Sequence, residues 1–355
     1  MIVFESMWGT KYSCNPMALY EYIDANYPQF ECVWALNDER IPIKGRGRRV
    51  RRGSRDYWRC MATAKYLVNN VNFENAYRKR PGQVEIETMH GTPLKTLGLD
   101  VAADFPTEKT RRDFLNRCHR WDYLIVQGRF MEEKAEAVYD FRKAILKTGY
   151  PRTDRLFAQN PAKREELKWK LGIPSGKKVI LYAPTWRVQK RFEMKLDLNV
   201  LKTALGRDYV FLFKGHHLCL PGIPVESDGE FVFELTQYRS IEDLYAISDV
   251  LITDYSSAMF DYALLHRPMV FFCYDLDEYC NLSRGLYVDF RNEAPGPIVF
   301  DTAAVVTTLQ TLDETMASYQ DRIARFHEKY LSYERPDSAE QIVRQVMLKP
   351  AKISY

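Results

Sequence analysis

The chain has 355 residues, of which 46% are apolar and 28% charged, with a net charge of +4. That is too much chain for one small core and enough for two domains of ordinary size. No apolar run approaches the ~18 residues that span a bilayer, and Met1 to Ser6 lacks the basic-then-apolar layout of a signal peptide, so a cytoplasmic protein is expected. The seven cysteines (Cys14, Cys32, Cys60, Cys118, Cys219, Cys273, Cys280) form no Cys-x-x-Cys pair, which argues against a zinc site or a disulfide framework.

In chain order, residues 2–6 read as a strand, 15–25 as a helix, 31–36 as a strand, 54–64 as a helix, and 65–71 and 84–89 as strands. From Lys44 to Arg59 there are eight basic residues and a single acid, Asp56, with glycines at 45, 47 and 53. Such a cationic loop or edge suits anionic lipid, a polyanion or nucleic acid. No nucleic-acid-reading module accompanies it, and the adjoining Tyr57 and Trp58 favour an interface, so Arg48, Arg49, Arg51 and Arg52 are expected to form a membrane-facing patch.

A charged helix at 107–120, a strand at 123–127, a helix at 129–140 and a strand near 145–149 complete one Rossmann-like series. The breaker-rich run from Gly149 to Pro161 places a boundary near residue 155. A second series follows: strand 178–183, helix 197–205, strands 209–214 and 231–233, helix 241–247, strand 250–253, helix 257–265 and strand 269–273. Helical periodicity at 301–332 and 338–348 forms a tail expected to pack back on the first domain. The pattern predicts an α/β, GT-B-like fold in which Rossmann-like domains 1–155 and 156–355 face a central cleft, with ligands at the carboxyl ends of the strands.

Four polar motifs stand at those strand ends: Met89-His90-Gly91-Thr92-Pro93-Leu94-Lys95, Ala183-Pro184-Thr185-Trp186-Arg187, Lys214-Gly215-His216-His217 and Thr253-Asp254-Tyr255-Ser256-Ser257. In the last, an apolar strand passes into a helical pattern, so free backbone N–H groups and two hydroxyls meet where a phosphate could be held. The plain alternative is that the serines only cap the helix.

These strings, with Gly149-Tyr-Pro-Arg-Thr-Asp154, Arg267-Pro-Met269, Arg284-Gly-Leu-Tyr287 and Pro295-Gly-Pro297, resemble the CDP-glycerol glycerophosphotransferase family in the family's order. The resemblance implies teichoic acid or capsule synthesis: a polyol phosphate is moved from a CDP-activated donor, CDP-glycerol first, to a lipid-linked acceptor at the inner face of the cell membrane. It also implies an acceptor-binding first domain and a donor-binding second domain. One departure is that the family usually runs Gly-Lys-x-Tyr-Ser-Asp-Asn-Pro where this chain has Gly9-Thr-Lys-Tyr-Ser-Cys-Asn-Pro16, which bears on acceptor recognition. A sugar-nucleotide glycosyltransferase or epimerase, and a non-catalytic polyanion- or membrane-binding protein, are the competing classes.

The implied chemistry needs a base for the acceptor hydroxyl and cations or N–H donors for the phosphates. His90 is the expected base, with Asn15, Gly91, Thr92 and Lys95 on the acceptor side. On the donor side, His216 is expected as leaving-group acid or phosphate contact, with His217 its ambiguous neighbour. Arg187, Lys214, Thr253, Asp254, Ser256 and Ser257 are expected to complete the donor and phosphate site. No tightly bound cofactor or metal is indicated; Mg²⁺ accompanying the nucleotide diphosphate is compatible with these motifs without being signalled by them.

Overall fold

A computed structural model describes residues 1–158, 160–185, 193–215, 225–282 and 285–348. The chain forms two compact units: Met1–Thr92, Leu97–Asp154 and Lys329–Tyr355 make the first, and Pro93–Thr96 with Arg155–Glu328 the second.

The first unit carries β1 (Ile2–Glu5), α1 (Cys14–Asn26), β2 (Cys32–Leu36), β3 (Arg48–Arg51), α2 (Arg55–Thr63), β4 (Tyr66–Asn69), β5 (Val84–Glu87), α3 (Glu108–Cys118), β6 (Tyr123–Ile125), α4 (Arg129–Tyr139) and β7 (Ala144–Leu146). Its seven strands are parallel in the order β3-β2-β1-β4-β5-β6-β7. β1, β2 and β4 are buried along their whole length, as sheets covered by helices on both faces require.

The short α5 (Asp154–Phe157) starts at the boundary between the units. The second unit has α6 (Pro161–Lys170), β8 (Lys178–Ala183), α7 (Leu198–Leu205), β9 (Tyr209–Phe213), β10 (Val232–Glu234), α8 (Ile241–Ile247), β11 (Val250–Thr253), α9 (Ala258–Ala263), β12 (Met269–Phe272), α10 (Leu276–Leu282), α11 (Phe290–Glu293), β13 (Ile298–Val299), α12 (Thr302–Gln310) and α13 (Leu312–Ala317). Its six strands are also parallel, ordered β10-β9-β8-β11-β12-β13. A core of Ile180, Phe211, Ile252, Val270 and Leu201 fills the space between that sheet and its helices. α14 (Gln320–Tyr330) runs across the change of unit at residue 329, and α15 (Ser338–Ile342), continued by a π turn over Val343–Met347, ends the described chain.

Strand order reverses beside β1 in one sheet and beside β8 in the other. The crevices where such sheets take ligands therefore open between the carboxyl ends of β1 and β4, and of β8 and β11.

The structure departs from the sequence-based elements in several places, and α10, α11 and β13 were not expected at all. β3 lies inside the basic run, where arginines at Arg48, Arg49 and Arg51 hide the strand pattern and only Val50 turns inward. α6 was not expected; Asn160 caps it, accepting from Ala162 N and Lys163 N, and Pro161 opens it. The continuous helix expected over 301–332 is three helices, broken at Thr311 and at Ser318-Tyr319.

The string Gly149–Asp154 ties the C-terminal segment to the first unit. Gly149 has φ 72° with the Glu334 backbone against it, and the Glu334 carboxylate accepts from Thr153 Oγ1 at 2.6 Å and from Tyr150 N at 3.3 Å. Asp154 then accepts from Ser338 N and Ala339 N, both at 3.0 Å, at the start of α15. Gly128 allows the closest approach, since a Cβ there would lie 2.3 Å from the Tyr330 backbone.

Candidate functional site

In the first unit the polar turns after β1, β4 and β5 are bonded into one another through Asn70, which is 1% exposed. Its backbone oxygen lies 3.1 Å from His90 Nδ1. Its side-chain oxygen accepts from Met7 N at 3.0 Å, and its amide nitrogen donates to Ser6 Oγ at 3.3 Å. A carbonyl only accepts, so neutral His90 must carry its proton on Nδ1, leaving Nε2 as a lone-pair base. The His90 ring is open to solvent on one side, yet the protein around it displaces water. That desolvation, with the nearby Arg152 charge, holds its pKa below the usual histidine value against the opposing pull of the Asn70 carbonyl.

The backbone leading to His90 is forced. Met89 has φ 54°, and its N–H donates to the Glu87 carboxyl at 2.9 Å. Burial raises the Glu87 pKa well above the usual carboxylate value, opposed by the hydrogen bond it accepts from Met89 N. Gly91, at φ 149°, occupies backbone space open to glycine.

The turn after β1 is forced as well: Met7, Trp8 and Gly9 have φ of 48°, 52° and 73°. Left-handed backbone costs a non-glycine residue roughly 1–2 kcal/mol. Hydrogen bonds hold it there: Asn37 Nδ2 donates to Trp8 O at 3.0 Å, Asn37 N to Gly9 O at 2.8 Å, and Thr10 Oγ1 to Met7 O at 2.6 Å.

The other expected acceptor-side residues have structural work. Asn15, fully buried, donates to Thr88 O and Met89 O at 2.8 and 2.9 Å and accepts from Arg152 N at 3.3 Å, so it pins the chain just after β5. Thr92 donates to Gln127 Oε1 at 2.6 Å and is 1% exposed. Lys95 belongs to the second unit, paired through its backbone with Leu286 and with its ammonium 5.2 Å from the Tyr279 ring, which corrects its expected placement.

In the second unit the crevice between β8 and β11 is closed by side chains expected to meet the donor. Thr253 Oγ1 donates to Ala183 O at 2.7 Å, and the Asp254 carboxylate accepts from Thr185 N at 2.8 Å; both residues are buried. The Lys214 ammonium, expected near the diphosphate, instead donates to the carbonyls of Leu235, Thr236 and Tyr238, a geometry that stitches β9 to the loop after β10. Ser256 Oγ accepts from Ala258 N at 3.2 Å, whereas Ser257 is exposed and makes no side-chain cap. Just before them Tyr255 is stacked on Tyr279 with ring centroids 3.8 Å apart, its hydroxyl donating to Asp275 at 3.2 Å. Arg187, His216 and His217 lie outside the described residues.

A concavity of about 410 Å³ beside the ends of β12 and β13 is lined by Lys195, Tyr274, Asp275, Leu276, Asp277, Glu278 and Phe300. Three carboxylates against one ammonium make it a poor seat for a diphosphate. Among the described residues no group of three or more His, Cys, Asp or Glu side chains is placed to hold a metal ion. None of their helices is long and apolar enough to cross a membrane.

The basic run includes the edge strand β3, and several of its charges are paired. Arg48 meets Glu31 at 3.3 Å, Arg46 meets Asp24 at 3.2 Å and Lys44 meets Glu21 at 3.3 Å. Arg52 turns inward to Glu5 at 3.1 Å and Glu74 at 3.0 Å, with 16% of its side chain exposed, which removes it from the expected membrane surface. Arg48, Arg49 and Arg51 remain exposed.

Sequence reading missed Asn70 and Arg152 as companions of His90. Arg152 sat in a quoted string, but the turn that brings it beside His90 is three-dimensional; Asn70 acts through its backbone, which carries no residue signature.

Two parallel α/β units with polar turns at the carboxyl ends of their strands define a GT-B-like fold. The chain belongs to the CDP-glycerol:poly(glycerophosphate) glycerophosphotransferase family, whose model matches residues 1–348. It is 36% identical to a teichoic acid poly(glycerol phosphate) polymerase of Staphylococcus epidermidis, covering 96% of this chain and 49% of that protein. It is also 36% identical to a teichoic acid glycerol-phosphate transferase of Staphylococcus aureus, covering 98% of this chain and 92% of that one. The chain thus spans about half the length of the polymerase and nearly all of the transferase. A solved structure of the wall teichoic acid polymerase TagF superposes with a TM-score of 0.91 at 35% identity, over 97% of this chain and 87% of that one.

Asp254→Ala should lower stability by about 1–3 kcal/mol by removing the carboxylate that accepts the part-buried Thr185 N–H. Ser257→Ala should stay within about 0.5 kcal/mol of the parent. Urea denaturation of the two variants checks both.

Proposed function

We propose that this protein transfers glycerol phosphate from CDP-glycerol to a hydroxyl of a lipid-linked acceptor in teichoic acid or capsule synthesis, releasing CMP. The observation that carries the reading is His90, fixed with Nε2 free on a forced turn at the carboxyl edge of a parallel sheet. The acceptor hydroxyl gives its proton to His90 Nε2 as its oxygen bonds to the β-phosphorus. The bond from that phosphorus to the bridging oxygen breaks, and CMP leaves with the electron pair. Arg187 and His216 are assigned to the donor phosphates and leaving group on sequence grounds, and the backbone N–H groups around Ser256 and Ser257 supplement them. Glycerol is favoured over ribitol because the relatives that match nearly the whole chain are named for glycerol phosphate.

The acceptor's lipid brings the protein to the inner face of the membrane, where the exposed arginines of β3 meet anionic head groups. Each contributes about 1 kcal/mol near such a surface, and exposed ion pairs like Arg48–Glu31 are weak enough to yield.

With a soluble acceptor analogue, the protein should release CMP from CDP-glycerol faster than from CDP-ribitol and no UDP from UDP-GlcNAc. His90→Ala should lower the rate by ~10²–10⁴-fold with an unchanged melting temperature. A loss under tenfold removes His90 from the base role, and release of UDP moves the protein to another class of GT-B enzyme.

Reversing Arg48, Arg49 and Arg51 to Glu should abolish salt-sensitive sedimentation with anionic vesicles and leave turnover of the soluble acceptor unchanged. Persistent sedimentation would locate the membrane surface elsewhere.

A further inference from the structure

The turn after β1 spends conformational energy to hold one large aromatic ring in the open. Trp8 is 54% exposed although two consecutive non-glycine residues, Met7 and Trp8, are locked in left-handed backbone by Asn37, Thr10 and Asn70. Burial offsets little of that strain, because more than half of the residue stays exposed. Strain kept in place by surrounding bonds marks a side chain that must be met in one geometry.

The location says what would meet it. The turn stands at the reversal of strand order between β1 and β4, the crevice where a parallel sheet of this kind takes its ligand. Asn70 joins it directly to the turn that bears His90. With β4 alone between β1 and β5, the two turns stand about 10 Å apart at ordinary strand spacing. That is about one or two units of an acceptor chain whose terminal hydroxyl lies at His90.

The chemistry narrows the choice further. The face of an indole is electronegative, so it attracts the C–H face of a sugar ring and repels phosphate oxygens. A bare polyol phosphate chain would gain little there. On the same turn, the exposed Asn37, whose amide donates to the Trp8 carbonyl, supplies the kind of hydrogen-bonding group that sugar hydroxyls use.

We propose that Trp8 is a stacking platform for a pyranose ring of the acceptor, adjoining the polyol phosphate whose hydroxyl His90 deprotonates. The inference rests on the reading of His90 given above.

The test uses two soluble acceptors, one with a pyranoside next to the terminal glycerol phosphate and one of glycerol phosphate units alone. Trp8→Ala should raise KM for the glycoside-bearing acceptor at least tenfold, leave kcat within about twofold and leave the second acceptor unaffected; Trp8→Phe should restore most of the loss. Trp8→Gly should raise the melting temperature by relieving the left-handed strain while losing the same binding. Calorimetric titration of the glycoside-bearing acceptor with parent and Trp8→Ala protein gives a readout that does not need turnover. Weaker binding by the variant supports the platform even if CDP-glycerol proves not to be the donor. Equal losses on both acceptors, unchanged binding, or an effect confined to vesicle sedimentation would overturn it, the last assigning Trp8 to the lipid surface.

Discussion

The site in the first unit depends on one buried residue, Asn70, that serves two turns at once. Its carbonyl decides which nitrogen of His90 carries the proton, and its amide holds the strained turn that presents Trp8. Since Asn70 directly follows β4, a buried strand held between β1 and β5, the sheet positions the carbonyl that meets the imidazole. Arg152 and the desolvating surround then keep that imidazole neutral near pH 7, as a base must be. Glu87, whose pKa burial raises, accepts the Met89 N–H and so helps fix the forced turn that leads to His90.

In the second unit the same economy runs the other way. Thr253, Asp254 and Lys214 bond to backbone groups of neighbouring segments and so help shape the strand ends around the crevice. The family strings are therefore of two kinds. Gly149–Asp154, Asn15 and Thr92 fasten neighbouring segments to one another, whereas His90 is held through Nδ1 alone and keeps Nε2 clear of that bond. A shared motif is evidence for a shared geometry first, and a side chain's role follows only from where its atoms point.

Much of this was legible in the sequence. Alternating apolar strands and helices gave both parallel sheets, and the polar strings fell at strand ends because strands buried on both faces leave no other place for them. β3 escaped because an edge strand needs only one inward residue, Val50, and its arginines read as loop. Arg52 was counted as surface because nothing local announces its buried partner, Glu5, 47 residues away. Asn70 escaped for the same reason, since its contacts to His90 and Met7 cross strands that are neighbours in space but distant along the chain. The split of the C-terminal tail between units follows from Asp154 and Glu334, a pairing no periodicity encodes.

The most direct test of His90 as a base held neutral by its surroundings is the pH dependence of kcat/KM for the acceptor. A histidine whose pKa is lowered loses its base form only as pH falls through that lowered value. Activity should therefore persist down through pH 6.5, and the acid limb should have its midpoint below about 6.5, the ordinary histidine value. An acid limb centred above 6.5, or a profile with no acid limb, would contradict the account.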